Sequence, residues 1–300
     1  MNTDYKGRLA TLFIVNDLNV ENHVQAIGWR SSVPARFGLS WLRREYPLHE
    51  FFLDVHEPLV SSSFAHRYRR EIASGTSARI RRANNALAER LALLIVANGV
   101  VDQLVSHREI TLNHTLLGGP KIRGQGPLAA QMKSLGLQIR DLHVSFSHDG
   151  DAHLAVAACE AGLRGLGIDI VHLPRLQGRG RDYTHLYRLA RRFMSNDEYL
   201  SFRRNAECDD PSALAVRAAG HFSLMESASK ALGTGLKLGL GMGRAAALPR
   251  RSLCLSSLTP VEFALGPEAE ARCRRLRARR LEGYWAADHE YLVSLALLWE

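Results

Sequence analysis

A carboxylate inside an apolar strand, and a carboxylate–lysine pair on a helix, are the groups in this chain best suited to chemistry. Asp169 sits in the run Gly165-Leu166-Gly167-Ile168-Asp169-Ile170-Val171, which reads as a short strand. A carboxylate there loses solvation and needs a cation or hydrogen-bond donors to stay charged. Further on, FSLMESASK (222–230) places Glu226 and Lys230 at i and i+4, on one helix face. Singly, each has a plain structural reading. Asp169 could cap the turn after its strand, and Glu226–Lys230 could be a solvated pair contributing about 0.2–0.5 kcal/mol. Together they fit a magnesium and phosphate site, with phosphate oxygens and water completing a coordination shell begun by two carboxylates. Gly233-Thr234-Gly235 stops the helix and lets backbone approach a ligand. The arginines between Arg67 and Arg90 are mostly surface charges, with one or two expected as phosphate ligands. The run at 272–280, RCRRLRARR, reads as a solvated helix face.

The elements that must position these groups follow from periodicity and turn chemistry. Residues 9–15 read as a strand, and 64–98 as one long helix with Leu87, Leu91 and Leu94 on a stripe, ended by Gly99. The Gly/Pro-dense stretch 116–127 reads as a turn-rich connection. Strands at 142–146 and 153–158 flank a turn at 147–151, which makes a hairpin. A strand at 166–171, helices at 186–202 and 211–232, and a last strand at 291–298 complete the order. That order argues for an α+β chain rather than a βαβ repeat. Hairpin-like pieces at 147–158 and 286–297 hint at two similar halves.

Composition sets the outer bounds. Three hundred residues allow about two domains or one large one. With 46% apolar and 23% charged residues the chain is neither disordered nor short of core material. No apolar run reaches the roughly 18–20 residues that span a bilayer, and polar residues break the apolar segment near the N-terminus. A soluble, cytoplasmic protein with no membrane partner is expected. Cys159, Cys208, Cys254 and Cys273 lack zinc-site or redox spacing and read as buried thiols in a reducing compartment. The net charge of +9 favours anionic partners. A nucleic-acid reading would rest on charge alone, since the second basic run has no interleaved aromatic residue and the first has only Tyr68. No nucleic acid is expected.

Two segments carry a resemblance. GIDIVHLPRL (167–176) and FSLMESASKALGTGL (222–236) resemble the two signature motifs of the 4′-phosphopantetheinyl transferase superfamily, the second closest to the holo-acyl-carrier-protein synthase type. SFSHDGDAHLAVA (145–157) resembles the Ser-x-Ser-His hairpin of the longer, two-lobed, surfactin-synthetase-type members. Arg81-Arg82 with Glu89-Arg90-Leu91 resembles their arginine-rich helix, with Glu89 in place of a glycine. The resemblance runs from about residue 65 to the end.

It implies an α+β fold of two similar lobes, a pseudo-dimer working as a monomer. Residues 1–60 would form a segment packed on or preceding the first lobe, 61–164 the first lobe, and 165–300 the second lobe with the metal site. The implied reaction is Mg²⁺-dependent transfer of 4′-phosphopantetheine from coenzyme A to a serine of an apo acyl or peptidyl carrier protein, releasing 3′,5′-ADP. Asp169 and Glu226 become the metal carboxylates, Glu226 the base for the serine proton, and Lys230 a phosphate partner. His148 and Ser147 would meet the 3′-phosphoadenosine end, assisted by Arg82 and Arg90. Lys121 and Arg123 fall near a coenzyme-binding turn, and Arg175 at a position that meets the acidic carrier protein. Val171 stands where many two-lobed members have a third carboxylate. Met225 stands where the helix motif has a lysine. Loss of that cation beside a pyrophosphate would cost about 1.5–3 kcal/mol, unless a neighbouring cation such as Lys237 replaces it. The alternative is the same fold repurposed to bind or modify pantetheine tethered to a carrier protein.

Overall fold

The computed structural model describes residues 37–43, 62–100, 109–114, 120–150, 152–177, 184–206, 210–234, 248, 252–258 and 260–300. The chain divides into two units, Met1–Gly162 and Leu163–Glu300.

The first unit contains β1 (Phe37–Arg43), α1 (Ser62–Ala73), α2 (Ser77–Val100), β2 (Ile110–His114), β3 (Pro120–Gly124), α3 (Gly126–Ser134), β4 (Leu142–Asp149) and β5 (Ala152–Cys159). Its antiparallel sheet has the order β1-β5-β4. The central strand β5 is buried along its whole length, and its run of alanines leaves room for α2 to pack across it. Leu87, Ala88, Ala92 and Leu93 of α2 join Tyr68, Leu128, Met132, Leu142 and Val144 in one apolar core.

The long helix expected over 64–98 is two helices. Gly75, at φ +67°, ends α1 with its N–H bonded to Ile72 O. The stretch 116–127 is more than a connection, because Pro120–Gly124 pairs with β2. Its strand signal is hidden by two residues with positional reasons. Pro120 opens the strand, where its missing N–H costs little, and Gly124 yields to Ile139, whose Cδ1 would lie 2.2 Å from a Cβ there. The strand expected at 9–15 lies outside the described residues.

The second unit contains β6 (Leu163–His172), α4 (Pro174–Gln177), α5 (Thr184–Phe193), α6 (Asn196–Ala206), α7 (Pro211–Ala231), β7 (Leu253–Leu258), β8 (Val261–Leu265), α8 (Pro267–Leu276), β9 (Arg280–Ala287) and β10 (Tyr291–Trp299). Its antiparallel sheet has the order β6-β10-β9, with α7 packed on β6 and β10. Asp210 caps α7 by accepting from Ser212 N and Ala213 N at 2.7 and 2.9 Å, with Pro211 just inside.

The single helix expected over 186–202 is also two. Ser195 and Glu198 form a reciprocal cap at the start of α6: Ser195 N donates to Glu198 Oε2 at 2.6 Å, and Glu198 N to Ser195 Oγ at 3.3 Å. The Ser-x-x-Glu spacing is a sequence-level signal for that start. The basic run at 272–280 is not one helix face. α8 stops at Leu276, Arg277 turns the chain at φ 56°, and Arg280 already belongs to β9.

Taken each by itself, the units repeat one order of elements. A strand precedes a long helix, a two-stranded hairpin, a short helix and a closing hairpin. The last strand of that closing hairpin takes the centre of the sheet. Cys159 and Cys273 are buried and Cys254 partly so, while Cys208 lies outside the described residues. Among the described residues no helix is long and apolar enough to cross a membrane.

Candidate functional site

Two glycines let a strand lie directly on a helix. A Cβ on Gly165 would stand 1.9 Å from Ala231 O, and one on Gly167 would stand 1.8 Å from Ser227 O. Any side chain at these positions would hold β6 away from α7. Asp169 continues the same strand face at the next alternate position. On α7, Glu226 and Lys230 flank Ser227 and Ala231 in sequence. The close approach brings the lysine onto the strand carboxylate, with Lys230 Nζ donating to Asp169 Oδ1 at 2.8 Å and to Ile168 O at 2.8 Å. Asp169 is 8% exposed and Lys230 28%, so the pair is shielded but reachable from one side.

Glu226 completes the group. Burial holds its carboxyl above the usual carboxylate range, and the charge of Asp169 pushes it the same way; Lys230 and the Ser229 hydroxyl oppose the shift. A buried carboxyl whose proton affinity is raised by a second carboxylate beside it is suited to binding a cation. Among the described residues no group of three or more His, Cys, Asp or Glu side chains could hold a metal. Two carboxylates, Asp169 and Glu226, are what this grouping offers as oxygen donors. That suits a hard cation which keeps water and phosphate oxygens in its other positions.

The site stands on a buried polar layer that sequence reasoning did not single out. Ser294 on β10 pairs in register with Asp169, so their side chains share a sheet face. Ser223 Oγ lies 2.7 Å from Ser294 Oγ, Ser294 Oγ donates to Ser227 Oγ at 3.1 Å, and Ser227 Oγ donates to Leu224 O at 3.0 Å. All three serines are fully buried. Their hydroxyls satisfy one another while tying the central strand to α7. The signal was in the sequence as Ser223 and Ser227, spaced i and i+4.

Past Lys230 the helix ends in a Schellman turn. Gly233, at φ +67°, donates to Lys230 O, and Thr234 N donates to Ser229 O at 2.9 Å. Arg272 of α8 donates from Nε to Leu232 O at 2.7 Å, so this arginine braces the helix end instead of standing in solvent.

Met225 belongs to the buried apolar cluster with Leu224, Ala228, Leu248, Leu253 and Leu255. Val171 is buried among Leu173, Ala215 and Ala218. Both departures from the family motifs are core residues here. Lys237 lies outside the described residues. Arg175 is exposed on α4.

The remaining predicted residues lie in the first unit. Ser147 is buried and His148 exposed, both on β4. Asn85 of α2 joins His148 to His153: Asn85 Nδ2 lies 3.3 Å from His148 Nδ1, and Asn85 Oδ1 lies 2.7 Å from His153 Nδ1. Arg82 is exposed on α2. Arg90 is stacked over Phe64 at 4.1 Å and donates to Ala86 O, and burial lowers its pKa to about 10. Lys121 and Arg123 lie on β3, with Arg123 exposed. Glu89 is buried.

Residues 165–286 match the model of the 4′-phosphopantetheinyl transferase superfamily. A curated relative, a holo-acyl-carrier-protein synthase from Sodalis glossinidius (strain morsitans), is 30% identical over 136 residues, which is 44% of this chain and 94% of the relative. The chain belongs to the 4′-phosphopantetheinyl transferase superfamily. It is a transferase of the holo-acyl-carrier-protein synthase type.

Among solved structures, the holo-acyl-carrier-protein synthase of Neisseria meningitidis is 20% identical, covering 46% of this chain and 99% of that one with a TM-score of 0.34. The Bacillus anthracis enzyme in complex with coenzyme A (3′,5′-ADP) is 19% identical, covering 47% and 99% with a TM-score of 0.32. The Helicobacter pylori enzyme in complex with coenzyme A is 20% identical, covering 44% and 98% with a TM-score of 0.31.

Proposed function

We propose that the chain transfers 4′-phosphopantetheine from coenzyme A to a serine of an apo acyl or peptidyl carrier protein, with Mg²⁺ and with release of 3′,5′-ADP. The observation that carries this is the approach of β6 to α7, which groups Asp169, Glu226 and Lys230. In the proposed reaction the serine oxygen bonds to the β-phosphorus, and the bond to the 3′,5′-ADP oxygen breaks. Glu226 receives the serine proton, directly or through a water. Its raised proton affinity suits that task at neutral pH. Lys230 holds Asp169 in place and supplies a positive charge for a phosphate oxygen. Asp169 and Glu226 would hold Mg²⁺, which when bound neutralises charge on the pyrophosphate. His148 and Ser147 would meet the 3′-phosphoadenosine end, with Arg82, Arg90, Lys121 and Arg123 as further coenzyme contacts.

The proposal extends to a monomeric, cytoplasmic enzyme of two similar lobes, divided as the resemblance implies. The repurposed alternative drew support from Met225. Its side chain lies in the apolar core, so the substitution removes no group from the Asp169–Glu226 pair.

The test is the intact mass of several apo carrier proteins after incubation with the enzyme, coenzyme A and Mg²⁺. A gain equal to one phosphopantetheine is expected, lost on chelation of the metal and in a folded Asp169→Ala variant. No mass gain on any carrier, or full activity in Asp169→Ala, refutes the proposal.

A further inference from the structure

We infer that Ser294 is a positioning residue: it fixes how far α7 slides and turns against the sheet, and so whether Glu226 and Lys230 meet Asp169. This deepens the proposed function and rests on its assignment of the transfer to those three residues. Gly165 and Gly167 let the backbone of α7 settle onto β6, with Ala231 O and Ser227 O where a Cβ would otherwise stand. The same two glycines leave the strand smooth. At these positions β6 offers no side chain to interlock with the helix, and apolar burial attracts without direction. A helix displaced by one residue shifts by about 1.5 Å and turns by about 100°. That step carries Glu226 and Lys230 off a carboxylate that Lys230 Nζ now reaches at 2.8 Å.

The register comes from the neighbouring strand. Ser294 is the β10 partner of Asp169. Its Oγ reaches two hydroxyls one turn apart on α7, lying 2.7 Å from Ser223 Oγ and 3.1 Å from Ser227 Oγ. Glu226 falls inside that bracket and Lys230 one turn beyond it. A slide in either direction lengthens one of the two contacts. The hydroxyls do not depend on one another equally. A helix serine can fall back on a carbonyl of its own helix, as Ser227 does with Leu224 O at 3.0 Å and Ser229 with Glu226 O at 2.8 Å. A strand serine has no such carbonyl within its own turn. Ser294 is fully buried, so a displaced α7 would leave its hydroxyl without a partner and without water, at a cost the native register avoids. In the native register the hydroxyls merely exchange water for each other, which adds little net stability. Ser294 therefore selects a register more than it strengthens the fold.

The test separates register from stability on the full chain. Ser294→Ala removes the strand hydroxyl and leaves both helix serines their own carbonyls, so its melting midpoint should stay within about 3 °C of wild type. Ser223→Ala combined with Ser227→Ala strands Ser294 instead, and should melt below Ser294→Ala. Lys230 Nζ also donates to Ile168 O, so the carbonyl ¹³C shift of Ile168 in metal-free protein reports whether the ammonium is in place. Lys230→Met gives the value without it. Ser294→Ala should move the Ile168 signal toward that value. In transfer assays its kcat should fall by about tenfold or more while KM for coenzyme A stays within about threefold. Ser294→Cys, which keeps a weak donor and acceptor at that position, should recover part of both losses. An Ile168 signal and kcat unchanged in Ser294→Ala overturn the inference. So does a Ser294→Ala chain that fails to fold, since the hydroxyl would then carry stability and not register. Absence of transfer by the wild type defeats the proposed function instead, and the Ile168 signal still decides the role of Ser294.

Discussion

Glu226 has a distinct titration signature. Its proton affinity is raised by burial and by Asp169. A carboxyl whose folded pKa exceeds its unfolded value adds stability below the unfolded value. That contribution is lost as pH rises through the folded one. Metal-free Glu226→Gln should therefore unfold at a higher temperature than the wild type at neutral pH, with a gap that widens from acid pH and then levels off. Mg²⁺ should raise the wild-type midpoint and leave the variant's unchanged. Thermal melts across pH check both points; a variant less stable than wild type throughout would refute them. Met225 gives the opposite case. Lysine there would place an ammonium in the apolar cluster, at a cost of about 3 kcal/mol or more, whereas Met225→Leu should cost less than about 1.5 kcal/mol. Urea denaturation distinguishes them. A lysine variant of wild-type stability with raised transfer would mean that this position reaches the pyrophosphate after all.

The contact between β6 and α7 is narrow enough that one methyl group should disrupt it. Gly167→Ala would put Cβ 1.8 Å from Ser227 O, and neither a strand nor a helix backbone can retreat cheaply. A loss of at least about 2 kcal/mol is expected, with transfer falling further than stability because Lys230 leaves Asp169. Calorimetry and activity on the same sample check this, and an alanine variant with both intact would show that the layer is looser than described. The sequence already carried Asp169, Glu226 and Lys230 through residue type and spacing, and α7 was legible over 211–232 because its pattern and its glycine stop at Gly233 are local chemistry. Strands β7 and β9 pair with the strands that directly follow them, and it is their weak patterns that hid them. Strand β1 was not legible, since its pairing partner β5 is distant in sequence. The reason for Gly165 and Gly167 was hidden in the same way. Nothing local tells that a helix carbonyl lies against them. The breaks in the long helices were readable in principle, from Gly75 and from the Ser195–Glu198 cap.

At the scale of the molecule the net charge of +9 has a kinetic consequence. If the chain acts on an acidic carrier protein as proposed, encounter would be steered over roughly 10 Å at 0.1 M salt and over roughly 3 Å at 1 M. KM for the carrier should rise several-fold across that range, while kcat at saturating carrier stays within about twofold. Steady-state titrations of carrier protein at both salt concentrations test this. A KM indifferent to salt would place recognition on apolar contact instead.

In each unit the strand at the centre of the sheet is the one made last. β5 follows β1 and β4, and β10 follows β6 and β9. During synthesis, β6 emerges from the ribosome without a partner, and Asp169 must wait for Ser294 before its strand is paired. Such distant pairing slows folding and leaves unpaired edges exposed in the meantime. A nascent chain that has not reached Tyr291 has no central strand in its second unit. It should be a substrate for chaperones, and its site should assemble in one late step as the last strand inserts.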